Sequence, residues 1–149
     1  MTFKWKDGAR ISADAQVAGV MCSEMEKAGT LTAQNLVDAN RPETAPLHNE
    51  FEWNDTEAAE KWRVHQARHI INSIVVVTEE AKKDSVVRCF FKVAQQTANY
   101  ESITTIVKNE DKYMALLETA VRELRAFERK YSTLQELSDV FKAIHELEV

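Results

Sequence analysis

Two histidines, His65 and His69, have the spacing that comes nearest to a metal site in this sequence. Side chains four residues apart share one face of a helix, and zinc proteases use that spacing with a glutamate directly after the first histidine. Here Gln66 follows His65, and Arg68 precedes His69, where its charge would repel a cation. We therefore expect two ordinary histidines on a helix surface rather than zinc ligands, and no bound cofactor.

The sequence also lacks the motifs that usually accompany nucleophilic, phosphate-binding or acid–base catalysis. A nucleophilic serine or cysteine needs a base beside it and is often presented on a glycine-flanked turn, and no serine or cysteine here stands between glycines. The chain has 3 glycines, too few for the glycine-rich loops that cradle phosphates. Acidic pairs such as Glu50 and Glu52 are more typical of solvated loops than of acid–base sites. The sequence therefore predicts a protein that is not an enzyme.

A group of basic residues near aromatic ones suggests a second kind of chemistry, the binding of single-stranded nucleic acid. The basic residues are Lys82, Lys83, Arg88 and Lys92, and the aromatic ones are Phe90, Phe91 and Tyr100. Adjacent side chains of a strand point to opposite faces, so at most one of the two phenylalanines could join a stacking platform. The formal net charge of −5 also argues against generic phosphate binding. A DNA- or RNA-binding role, through this group or the N-terminal helices, is therefore the alternative hypothesis.

The helices that would carry these residues are indicated by caps and apolar periodicity. Ser12 is a suitable cap for the first helix of an N-terminal pair, with Gly29 as its stop, and the second helix is predicted to begin at Thr32. A central helix is predicted over residues 55–71, capped by Asn54. The residues that lie near one face of this helix are Ala58, Ala59, Trp62, Gln66, Ala67 and Ile70.

Two β-branched segments follow the central helix. The run from Ile70 to Thr78 and the run from Ser85 to Val93 favour strands. The simplest arrangement is a small antiparallel β-hairpin, with residues 102–108 as a third short strand. Together with the helices, these strands predict a mainly helical α+β fold.

The C-terminal third contains a regular apolar seam. Its members recur at alternating spacings of four and three and are Tyr113, Leu117, Ala120, Leu124, Phe127 and Tyr131. This 3.5-residue period is typical of helices packed side by side. Ser132 with Gln135 has the spacing of a capping box that would start a last helix, giving an antiparallel helical hairpin. The seam could be covered within the chain or by a second copy, so a homodimer is one hypothesis.

Length and composition set the remaining expectations. The 149 residues suit a single domain, with a division into 1–46 and 47–149 as an alternative. Cys22 and Cys89 stand among apolar neighbours, which favours buried thiols over a disulfide. The N-terminus lacks the apolar core of a signal peptide, and no run approaches the roughly 20 apolar residues of a membrane span. We therefore expect a cytoplasmic protein. The three tryptophans would mark a partner surface where exposed and core where buried.

Two segments carry a resemblance to known proteins. Residues 46–74 read PLHNEFEWNDTEAAEKWRVHQARHIINSI, and residues 116–144 read LLETAVRELRAFERKYSTLQELSDVFKAI. Both resemble small phage and prophage proteins of unassigned function. The resemblance implies a mobile-element accessory protein that works inside a bacterial host, and it implies no activity, cofactor or catalytic residue. Our leading hypothesis is thus a non-enzymatic protein that binds a host or phage macromolecular complex, one example being a nucleic-acid-binding defence enzyme that an acidic protein could inhibit.

Overall fold

The computed structural model describes residues 1–54, 56–80, 83–94 and 97–148. The chain forms two compact units, Met1–Thr105 and Ile106–Val149. Their boundary does not coincide with the alternative division at residue 46, because the N-terminal helices pack inside the first unit. The mainly helical α+β class that the sequence predicts is confirmed. Within the described ranges, no helix is long and apolar enough to cross a membrane.

The first unit combines helices with two small antiparallel sheets. Its helices are α1 (Ala15–Lys27), α2 (Ala33–Ala39), α3 (Glu57–Ser73) and α4 (Ile103–Ile106), the last of which runs across the unit boundary. Its strands are β1 (Phe3–Trp5), β2 (Ile74–Glu80), β3 (Lys83–Arg88), β4 (Phe90–Phe91) and β5 (Glu101–Ser102). A short 3-10 turn at His48–Glu50 lies between α2 and α3.

The sheets confirm the predicted hairpin but correct the start of its first strand, since α3 continues to Ser73 and β2 begins at Ile74 and not at Ile70. They also correct its third strand. Strands β2 and β3 pair antiparallel, with Val76 opposite Val87, and β1 pairs on the other side of β2, with Phe3 opposite Val76. The third strand predicted over residues 102–108 is wrong, because only Glu101–Ser102 is extended and α4 follows at once. The physical reason is local: the Ser102 hydroxyl accepts a hydrogen bond from the Thr105 amide at 3.3 Å and so caps a helical turn.

Helices α1, α2 and α3 each begin at a side-chain cap, although the cap is not always the predicted residue. The second helix begins at Thr32 as predicted, and the Thr32 side chain caps α2 by accepting from the Asn35 amide. Asp14, not Ser12, caps α1, and Thr56, not Asn54, caps α3. Each pair of side chains lies two residues apart, and either member could accept from the unpaired amides at the start of the helix. Spacing in the sequence alone does not decide which of the two becomes the cap.

The core of the first unit lies where α1, α2 and α3 meet the sheets. Its largest fully buried side chains include Phe90, Leu31, Leu36, Leu47, Ile71 and Ile74. Cys22 and Cys89 are buried as free thiols, as predicted. The β1 strand packs on α1 so closely that the ring of Phe3 lies directly against Gly19.

The second unit is the predicted antiparallel helical hairpin. Helix α5 spans Glu110–Tyr131 and is capped by Asn109, whose side chain accepts from the Lys112 amide at 3.0 Å. Helix α6 spans Ser138–His145, after a 3-10 turn at Gln135–Leu137. The predicted capping box of Ser132 and Gln135 is wrong, because Ser132 still has helical backbone angles and ends α5.

Candidate functional site

Helix α3 is rotated relative to the face that its apolar residues mark in the sequence, and only part of that face is buried. Its buried side chains are Ala59, Arg63, Ala67, Ile70 and Ile71. Trp62, whose burial the sequence leaves open, is 52% exposed, and Arg63 is only 5% exposed. The charged residue is therefore buried and the aromatic residue is exposed, which is the reverse of what their polarity suggests. This rotation decides which residues of α3 are available to a ligand or partner.

Arg63 can be buried because the surrounding backbone and an acid satisfy its guanidinium. Its Nη1 donates to the carbonyl oxygens of Glu52 at 2.8 Å and Asn54 at 3.2 Å. Its Nε and Nη2 both donate to Glu60 Oε2, at 2.9 and 2.6 Å. The guanidinium also lies 5.3 Å from the ring centre of Trp53. A buried charge needs such partners, so Arg63 fixes the segment before α3 and is not free to bind a ligand.

Glu60 is the centre of a polar cluster between α2 and α3. Its Oε1 accepts from Gln34 Nε2 at 2.9 Å and from Arg41 Nη2 at 2.7 Å, while Oε2 is held by Arg63. The hydrogen bond from Gln34, followed by those from Arg63 and Arg41, lowers the pKa of Glu60 from 4.5 to about 2. All of these contacts favour the charged carboxylate. The cluster therefore ties α2 to α3 as long as Glu60 is ionised.

This shift predicts an acid-dependent loss of stability. Because the folded pKa of Glu60 lies near 2 and the ordinary value is 4.5, the unfolded chain takes up a proton first as the pH falls. The stabilisation from Glu60 should be complete above pH 4.5 and should disappear progressively between pH 4.5 and 2. Urea unfolding followed by circular dichroism should show a steeper decline over this window for the native chain than for Glu60→Gln. Glu57→Gln, an exposed change at the start of the same helix, is the matched control and should keep the native slope.

The tryptophans divide into two that are anchored and one that is presented to solvent. The indole N–H of Trp5 donates to the Ala13 carbonyl and that of Trp53 to the His48 carbonyl, both at 2.7 Å. Trp53 also stacks on the His48 ring, with 4.8 Å between the ring centres. Trp62 has half of its surface exposed and contacts His65, whose ring centre lies 5.2 Å away. Of the three, only Trp62 can offer a large aromatic surface to another molecule.

Trp62 borders a shallow groove of about 260 Å³, here called the Trp62 groove. It is lined by Arg10, Ile11, Glu50, Trp62, His65, Gln66, His69 and Ile70. The structure thus brings His65 and His69 together on one surface, as their spacing predicts. The added neighbours, Arg10 and Ile11, come from the N-terminal segment and have no sequence pattern that links them to α3.

Glu50 shapes this groove rather than completing a metal site. Its Oε1 accepts from the backbone amides of Ser12 at 2.9 Å and Ala13 at 2.7 Å, which holds the N-terminal segment beside α3. Within the part of the chain that the structure describes, no group of three or more His, Cys, Asp or Glu side chains is placed to hold a metal. The zinc alternative on His65 and His69 therefore finds no third ligand there.

The basic residues proposed for nucleic-acid binding are partly engaged within the chain. Arg88 donates to the Phe90 carbonyl and to the Asn72 side chain, and it lies over the ring of Phe91 at 4.7 Å. Lys92 lies 5.2 Å from the ring centre of Tyr100. Lys82 lies outside the described residues, and for Lys83 only its place in β3 is described.

The aromatic residues of that group do not form a stacking platform. Phe90 is fully buried and Tyr100 is nearly so, which leaves only the half-buried Phe91, already covered on one side by Arg88. A platform for bases needs an open ring face. The contacts of this group are therefore better explained by packing of the β3–β4 region.

The apolar seam of α5 is where the sequence predicts it, and much of it faces solvent. Tyr113 is 47% exposed, Leu124 40% and Phe127 41%, while Leu117 and Tyr131 are half-buried. Helix α6 contributes Phe141 and Ile144 to the buried part of the hairpin. The seam is thus a second candidate surface, besides the Trp62 groove, with large exposed apolar and aromatic side chains.

Comparison with known proteins adds no constraint to these two surfaces. No protein family, curated protein or solved structure matches the chain.

Proposed function

We propose that this chain is a non-enzymatic accessory protein that binds a macromolecular complex through the Trp62 groove. The observation that carries the proposal is the half-exposed indole of Trp62 at the edge of a groove that also contains an arginine. Tryptophan and arginine are the residues that most often dominate binding energy at protein interfaces. Exposing a tryptophan to water is unfavourable, and a partner that covers it would recover that free energy.

The polar residues of the groove suggest the chemistry of the partner segment. Arg10, His65 and His69 can all donate hydrogen bonds, whereas the one acid, Glu50, already accepts two through Oε1. A partner segment with an apolar side chain beside a carboxylate or carbonyl group would complement this arrangement.

The wider identity of the partner is proposed from the sequence. The resemblance of residues 46–74 and 116–144 to prophage proteins favours a host or phage complex inside a bacterium. The net charge of −5 favours a partner whose surface around the segment that enters the groove is basic, such as a defence enzyme with a nucleic-acid channel. An acidic protein could occupy such a channel without performing any reaction.

A pull-down from the bacterial host tests this function. The tagged native chain, Trp62→Ala and Val20→Ala are compared, each with and without nuclease. Val20 is an exposed apolar residue of α1 outside the groove and serves as the matched control. We expect one stoichiometric protein partner that survives nuclease, that Val20→Ala retains, and that Trp62→Ala binds at least about tenfold more weakly. Recovery of nucleic acid alone, or equal recovery with Trp62→Ala, would contradict the proposal.

A further inference from the structure

The C-terminal unit exposes far more apolar surface than its size explains. It makes up less than a third of the chain, yet more than half of the large exposed apolar side chains in the described ranges belong to it. Those on the hairpin are Tyr113, Met114, Leu124, Phe127, Leu134, Val140 and Leu147. Four of these seven, Tyr113, Met114, Leu124 and Phe127, lie on α5. Single exposed apolar residues are ordinary, whereas grouped ones mark an interface.

Helix α6 cannot cover the exposed residues of α5. It has 8 residues against the 22 of α5, which corresponds to roughly 12 Å against roughly 33 Å of helix length. It packs beside the C-terminal half of α5, where His145 contacts the Glu128 carboxylate and Phe141 lies 6.4 Å from Phe127. Even there, Phe127 remains 41% exposed. The seam is therefore exposed at Tyr113, Leu124 and Phe127, and it is half-buried at Leu117 and Tyr131.

The spacing of the seam is the same when read in either direction. Its intervals of four, three, four, three and four are symmetric about Arg122. Two copies of α5 packed antiparallel about this residue would place every seam residue opposite another one. Tyr113 would meet Tyr131 of the second copy, and the small Ala120 would meet the larger Leu124. Such matching of small with large side chains is what close helix packing needs.

The charge distribution of α5 favours the antiparallel direction over the parallel one. Residues 110–120 contain three acids and one base, and residues 121–131 contain four bases and two acids. Antiparallel packing sets the acidic half of one helix beside the basic half of the other, whereas parallel packing would align like charges. Opposite charge across an interface fixes orientation and suppresses the wrong pairing.

We infer that the chain forms a homodimer in which the α5 seams of two copies pack antiparallel about Arg122. The interface is related by a twofold axis, as in most homo-oligomers, and the two α5–α6 hairpins together resemble a four-helix arrangement. This inference does not depend on the proposed function, since no residue of the Trp62 groove lies on α5 or α6.

Light scattering of the full chain at protein concentrations of about 1 to 100 µM tests the assembly, because dimer formation depends on concentration. We expect twice the chain mass of 17.0 kDa for the native protein. Leu124→Glu should raise the dissociation constant at least about 100-fold, because the dimer buries two copies of Leu124. Ala126→Glu adds the same charge on the opposite, exposed face of α5 and should leave the dimer intact. A native monomer across this range, or equal dissociation by both variants, would overturn the inference.

Cysteine cross-linking tests the direction and register, and it does not require a destabilising variant. Ala120→Cys and Leu124→Cys chains should form few disulfides when oxidised separately and a dominant mixed disulfide when combined. The native thiols will interfere little, because burial raises the pKa values of Cys22 and Cys89 to about 12. A strong disulfide from Leu124→Cys alone would indicate parallel packing and would overturn the antiparallel arrangement. Trp62→Ala should remain dimeric, so the failure of either proposal can be recognised separately.

Discussion

Phe90→Ala is expected to lower the free energy of unfolding by about 3–5 kcal/mol, the largest effect of any single change considered. The ring of Phe90 is fully buried among the largest side chains of the first unit. Removing it leaves a cavity that a strand held by ladder bonds to Ser102 cannot easily fill. Because domains of this size are stable by roughly 5–15 kcal/mol, urea unfolding should show a much earlier midpoint, and partial unfolding at 37 °C is expected.

The neighbouring residue provides the matched control. Phe91 is half-buried, and its ring carries the Arg88 guanidinium at 4.7 Å. Phe91→Ala removes the same atoms but less buried area, so we expect a smaller loss, about 1–2 kcal/mol. Equal losses for the two variants would mean that both rings contribute to the core, contrary to the alternation of side chains in β4.

Gly19→Ala is expected to destabilise the protein by about 1–3 kcal/mol, although alanine is the better helix former by about 1 kcal/mol. A Cβ atom at this position of α1 would overlap Cγ of Phe3. The Phe3 ring cannot swing away easily, because Phe3 is buried and its strand is paired to β2. The cost should appear as a lower urea midpoint with an unchanged slope.

The sign of this effect should reverse when Phe3 is shortened. Phe3→Ala alone should be strongly destabilising because it empties the space against α1. In that background, Gly19→Ala meets no ring, and the higher helix propensity of alanine should stabilise the protein by up to about 1 kcal/mol. A double-mutant cycle measures this coupling directly. Additive losses would show that Gly19 is required for another reason than its contact with Phe3.

The two proposed surfaces would act together if both are correct. A dimer formed through α5 carries two copies of the Trp62 groove, and a partner complex with repeated sites could engage both. Linked binding of this kind raises apparent affinity without new contacts. A variant that separates the copies, such as Leu124→Glu, would then weaken partner capture more than it weakens the binding of one groove.

Local signals in the sequence were sufficient for much of the architecture. The 3.5-residue seam predicted α5, Thr32 predicted the start of α2, and the β-branched runs predicted the β2–β3 hairpin. Each of these features depends on residues within a few positions of one another, where propensity and capping act directly. The spacing of His65 and His69 likewise placed both on one surface, because i and i+4 are neighbours on any helix.

Contacts between distant segments decided the rest. The pairing of Phe3–Trp5 with β2 has no local signal, since the two strands are about seventy residues apart. The rotation of α3 is the clearest case. Helical periodicity allows either Trp62 or Arg63 to face inward, and hydropathy favours the tryptophan. Arg63 takes the inner place because carbonyl groups of the preceding loop and the Glu60 carboxylate satisfy its donors there. That exchange leaves Trp62 in solvent, and only the tertiary structure determines it.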